Sequence, residues 1–253
     1  MTHALFRELL RRELGERYQG SLLGPLWALL LPLAQLTVLS LVFTFLLPAR
    51  AHGGQWPYAA FLALGLWPWQ LFANQVQRGC TALTDNAALI GKVALPHGLF
   101  VLARAAGAAL PDLLGFMLVL AVVAAFGLPL APAGLPVVVL ALAVILALGL
   151  AAAFALSALQ VFLRDTAQVA AQLVMLGFFL SPVLYDRAQL PAPLARALGL
   201  NPLAPPIEAI RMALAGGEVA WAALGASAAA AVVALWLAHG LFRRTRPHVE
   251  DFL

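Results

Sequence analysis

Charge is what this chain has least of. Of its 253 residues 10% are Asp, Glu, Lys or Arg, whereas 63% are hydrophobic and the mean hydropathy is +0.94. A soluble domain of this length has no use for so much apolar surface, so the composition predicts a polytopic membrane protein. Cysteine is almost missing too. Cys80 stands alone, which excludes an internal disulfide framework and any cysteine-built metal cluster. The five histidines (His3, His52, His97, His239 and His248) lie far apart, without metal-ligand spacing. A phosphate-binding loop is absent: Gly91-Lys92 runs into Val93, and Asn86 stands where the motif needs its first glycine. No group of acids, histidines or serines converges at one depth, which speaks against a membrane enzyme. No internal repeat is visible, which weighs against the repeat-built secondary transporters. A cleavable signal peptide is not expected, because the N-terminus mixes acids with bases and the first apolar run is too long. The net charge of +4 comes from a few bases at the edges of apolar runs. That pattern sets orientation in a membrane and does not suit nucleic acid.

What is present begins with an amphipathic segment, assigned to residues 1–20. Phe6, Leu9, Leu10 and Leu14 share one face at helical spacing, and Arg7, Glu8, Arg11, Arg12, Glu13 and Glu16 fill the other. A helix lying at the membrane interface fits this division. After Arg17 no Asp, Glu, Lys or Arg occurs before Arg50, easily enough chain to cross a bilayer. Gly20 or Gly24 allows the turn into lipid, Pro25 suits the first turn of the new helix, and Trp27 suits the headgroup level.

Six transmembrane helices follow, at residues 25–47, 57–76, 99–126, 136–161, 166–185 and 219–242. Trp67-Pro68-Trp69 predicts a kink in the second, and Ser181-Pro182 a bend at the end of the fifth. Between the second and third, Asp85 is placed to cap a short helix from Asn86 to Ala94, which Pro96 ends. Residues 186–217 are too rich in proline for a span. There Asn201-Pro202, Pro205-Pro206 and Gly216-Gly217 predict short helices dipping partly into the membrane. The fold class is thus an all-α integral membrane protein in one domain, with an interface helix and short re-entrant helices. Arg7, Arg11, Arg12, Arg17, Arg78, Lys92, Arg104, Arg164, Arg243, Arg244 and Arg246 fall on one side if both termini are cytoplasmic. Arg50, Arg187, Arg196 and Arg211 fall on the other, so the positive-inside bias places both termini in the cytoplasm.

Few residues are candidates for chemistry. Asp112, well inside a span, is either functional or an acid held by a polar group on another helix. Arg164-Asp165 is an anchoring loop or a contact site. Aromatics such as Trp27, Phe43, Phe178, Phe179 and Tyr185 face lipid, or stack on sugar rings in a channel.

Arg17 to Trp27 with Pro32, Asn86 to Pro96, Phe162 to Tyr185 and Asn201 to Arg211 are four stretches that, in this order, resemble the permease subunits of ABC-2 type exporters of cell-surface polysaccharides, which handle O-antigen, capsule or teichoic acid. The first is Arg17-Tyr18-x-Gly20-Ser21-x-x-Gly24-Pro25-Leu26-Trp27 with Pro32. The second runs from Asn86 to Pro96, followed here by His97-Gly98 where a charged pair is common. The third is Phe162-Leu163-Arg164-Asp165 leading to the Phe179–Tyr185 run, and the fourth Asn201-Pro202-Leu203 followed by Arg211.

The resemblance implies a homodimer in the cytoplasmic (inner) membrane with two cytoplasmic ATPase subunits, which bind the ATP and Mg that this chain does not. It implies no enzymatic activity in this chain and a lipid-linked glycan as substrate. It gives the substrate path to Arg17, Tyr18, Trp27, Phe43, Phe178, Phe179 and Tyr185. The contact with the ATPase subunits falls to Asp85, Asn86, Lys92, Pro96, Arg164 and Asp165. Two alternatives stay open: an exporter permease for a drug, haem or lipid, and a proton-coupled secondary transporter in which Asp112 is indispensable.

Overall fold

A computed structural model describes residues 2–16, 20–42, 56–91 and 95–252. Among these residues the chain is helical, without a strand. Helix α1 (Thr2–Glu16) is followed by Gly20 and Gly24 at φ +77° and +50°, left-handed values that a side chain resists. A single 3-10 turn (Gly24–Leu26) then starts α2 (Trp27–Leu41), so the predicted change of direction is made by the two glycines together. Helix α3 (Tyr58–Cys80) continues through Pro68. A 3-10 turn (Thr84–Asn86) and the one-turn α4 (Ala87–Ile90) lead to α5 (His97–Ala125). Then come α6 (Leu135–Phe162) and α7 (Thr166–Leu180), the short α8 (Ala192–Leu198) and α9 (Ala204–Leu214), and the long α10 (Trp221–Phe252).

Among the described residues three helical segments are long and apolar enough to cross a membrane: His97–Ala125, Pro132–Phe162 and Trp221–Thr245. Helix α3 is long enough but carries Gln70, Asn74, Gln75, Gln77 and Arg78. It affords them because it packs on α2, α5, α6, α7 and α9 and is buried along most of its length. Helix α7 has 15 residues, about 22 Å at 1.5 Å per residue, less than a hydrocarbon core. The span expected over 166–185 is therefore a shorter helix ended by a non-helical turn at Ser181–Tyr185.

Two more expectations change. The last helix does not stop near Phe242; it continues past Pro247, and Phe252 meets Phe162 with ring centroids 5.0 Å apart. The short helix foreseen over Asn86–Ala94 is a single turn ending at Ile90, and residues 92–94 lie outside the described set.

The core forms two clusters at opposite ends of the bundle. One gathers Trp56, Val123, Val138, Val183 and Ile207 around the 126–134 and 182–215 connections. The other gathers Leu9, Leu83, Phe100, Val161 and Val249, so α1 and the last turns of α10 meet at the same end.

Candidate functional site

At the α1 end the charged side chains converge. Glu13 is 6% exposed and turned towards the bundle, although the helical spacing puts it with the polar residues of α1. Its Oε2 accepts a 2.7 Å hydrogen bond from Nη1 of Arg104 on α5 and stands 3.5 Å from Nη2 of Arg78 on α3. The second amino group of Arg104 pairs with Asp85. Asp85 also accepts from the Thr81 hydroxyl at 2.8 Å. It does not cap α4: the cap position is Asn86, whose side chain donates instead to the Ala82 carbonyl at 2.9 Å.

Around this cluster the end surface is polar and open. Asp85, Pro96, Arg164 and Asp165 are exposed, and Asn86 is buried. Gln160 holds the Arg164–Asp165 turn from both sides, donating to the Arg164 carbonyl at 3.1 Å and accepting from the Ala167 amide at 2.7 Å. Lys92, Arg17, Tyr18 and Phe43 lie outside the described residues.

A polar rib climbs α3 from this end. Arg78, Asn74 and Gln70 recur every fourth residue and therefore share one face. Asn74 donates to Asp112 on α5 at 2.8 Å, and Gln70 to Gln35 on α2 at 2.8 Å. Asp112 is 2% exposed, an acid held by a polar group on a neighbouring helix. Sequence reasoning missed Glu13, Arg78 and Arg104 as one unit, and Gln70 and Asn74 as partners. The four-residue spacing of Gln70, Asn74 and Arg78 in a largely apolar helix was the available signal.

At the opposite end Arg211 of α9 is buried and donates to the carbonyls of Phe61 (3.1 Å), Val183 (2.8 Å) and Pro182. Its Cζ lies 3.6 Å from the centre of the Phe61 ring. Gly65 makes room, since a Cβ there would overlap the guanidinium. Burial pulls this group below the usual arginine value, and Asp186, Glu208 and Tyr58 pull it back up. Arg187 and Glu208 form a forked pair at 2.7 Å for each bond, and Asn201 donates to Ser181 at 2.8 Å. These contacts tie the 182–215 segment to the ends of α3 and α7.

The aromatic candidates divide. Phe178 is 9% exposed and packs edge-on against Trp69, at 6.1 Å between centroids. Phe179, next in sequence, is 59% exposed and faces outward, as does Trp27 at the start of α2. Tyr185 is half-buried, its hydroxyl donating to the Phe179 carbonyl at 3.0 Å. On α7 the exposed Val169, Leu173, Leu176 and Leu180 form one stripe at spacings of four, three and four. An apolar crevice of about 720 Å³ between α3, α6, α7 and α10 is lined almost wholly by carbon, with Ser181 and Asn201 at one end. Among the described residues no group of acids, histidines and cysteines is placed to hold a metal ion.

Such a bundle, with a charged end and no nucleotide motif, has known relatives. The chain is 32% identical to the O-antigen export system permease protein RfbA of Myxococcus xanthus, over 98% of this chain and 94% of that one. It is 26% identical to a Klebsiella pneumoniae protein of the same name, over 76% of this chain and 73% of that one. Residues 4–215, from α1 through α9, match the ABC-2 type transporter family. The chain belongs to that family.

Proposed function

We propose that this chain is the membrane subunit of an ATP-driven ABC exporter that moves a lipid-linked, O-antigen-like polysaccharide across the cytoplasmic membrane. The observation that carries this reading is the likeness to an O-antigen export permease over nearly the whole of both chains. The chain lacks a phosphate-binding loop, so ATP and Mg belong to separate subunits, two of them docked on the cytoplasmic face. The proposed topology has six crossings, α2, α3, α5, α6, α7 and α10, with both termini cytoplasmic. An even number agrees with α1 and the end of α10 lying at one end of the bundle.

The exposed Asp85, Pro96, Arg164 and Asp165 at that end are the proposed docking contacts. The export path runs between two copies of the chain, along the exposed faces of α2 and α7. Trp27 and Phe179 there, with the half-buried Tyr185 in the turn after α7, give a polymer aromatic surfaces that stack on sugars without demanding one hydrogen-bond pattern. Arg17 and Tyr18 at the cytoplasmic entrance complete the proposed path, Arg17 meeting the phosphates of the lipid carrier.

The test has two parts. Purification from native membranes in mild detergent is expected to retain a stoichiometric ATPase subunit. Deletion of the gene is expected to leave completed glycan inside the cell and none at the surface. Reproducible absence of any ATPase overturns the reading. An unchanged surface glycan overturns the substrate and leaves a drug, haem or lipid as cargo.

A further inference from the structure

The ion cluster at the α1 end joins segments far apart in sequence, and one acid holds it to α1. Glu13 is as buried as Leu9 one turn before it, and Leu9 belongs to the core at this end. A carboxylate in such a place is tolerated only while positive partners face it. Those partners are Arg104 on α5 and Arg78 on α3. Arg104 then uses its other amino group to hold Asp85, in the turn between α3 and α4. A guanidinium fork reaches two acids at once, which the single ammonium of a lysine cannot do in this geometry.

We propose that Glu13 and Arg104 are positioning residues that fasten α1 to the Asp85 turn. A displacement of either segment is then delivered as one movement to the adjoining ends of α3 and α5. This rests on the reading as an ATP-driven permease, in which an ATPase subunit pushes on the Asp85 turn. Export needs the two segments to move together. ATP hydrolysis in the docked subunit does not.

Three variants test this in the complex of the full chain with its ATPase: Glu13→Gln, Arg104→Lys and the two combined. Surface glycan is measured per unit of permease and ATP hydrolysis per unit of complex. Each single variant is expected to lower export about tenfold while hydrolysis stays within about twofold of wild type. The combined variant is expected to do no further harm, because both residues serve one link. Arg104→Lys keeps charge and length, so it carries the test if Glu13→Gln fails to accumulate.

Normal export in either single variant overturns the proposal. So does a parallel loss of export and hydrolysis with the ATPase released, which would make the cluster a docking surface only. Additive losses in the combined variant overturn it as well. A wild-type chain that retains no ATPase overturns the exporter reading itself, a result separate from any of these.

Discussion

Arg211 is a charged side chain in a place where water does not reach, and three backbone carbonyls make that tolerable. The carbonyls of Pro182 and Val183 lie in the turn after α7, where Pro182 brings no N–H of its own and the helical ladder has ended. Arg211→Ala would leave all three without that donor and is expected to cost about 3 kcal/mol. Arg211→Lys would lose less, since one ammonium still satisfies part of the set. The midpoint of thermal unfolding in detergent micelles measures both, and equal midpoints for the two variants would refute this account.

Asp112 asks the opposite question, because a buried acid can be a proton carrier or merely a held polar group. Its bond from Asn74 favours the second. Asp112→Asn is therefore expected to keep export above half of wild type, with about 1 kcal/mol lost in stability, in line with polar contacts between membrane helices. Abolished transport with normal accumulation would restore proton coupling as a serious reading.

At the scale of elements, α3 is the post against which the others are set. Its polar rib reaches α1, α2 and α5 through Arg78, Gln70 and Asn74 in turn. Contacts of this kind in a membrane add about 0.6 kcal/mol each, so they serve register more than strength. Helix α7 behaves differently. Its inner side packs Val174 and Phe178 into the core, and its outer stripe of Val169, Leu173, Leu176 and Leu180 is exposed.

If α7 faces a second copy, Leu176→Cys should cross-link to a dimer in native membranes, while Val232→Cys on the outward face of α10 stays monomeric. The native Cys80 is buried, so it does not confuse the readout. A monomeric Leu176→Cys variant under oxidation would remove α7 from the proposed path.

For the whole molecule, the broad architecture was legible because a membrane enforces it. Apolar runs must be long, and backbone polar groups must be satisfied within helices. The Pro- and Gly-rich 186–217 stretch announced short helices, and α8 and α9 are there, the latter starting one residue before Pro205. The candidate site was legible only as segments. Asp85 stood out as a helix cap, yet its Oδ2 is taken by Thr81 and Arg104, because a half-buried arginine competes better for a carboxylate than a frayed one-turn helix does. Glu13 looked like a surface charge because helical spacing says which residues share a face, not which face meets protein.

Hydropathy and the spacing of charges, taken along one dimension, were enough for an all-helical membrane protein. The resemblance that the family match bears out rested instead on four ordered motifs, from Arg17–Trp27 to Asn201–Arg211. Pairings across 19 to 150 positions, such as Asp85 with Arg104 and Phe61 with Arg211, came only from the folded chain. The reason is physical. Burial in lipid acts on each segment separately and is written into its composition. The choice of partner for a buried charge depends on which helices end side by side, and that is decided only when all of them have packed.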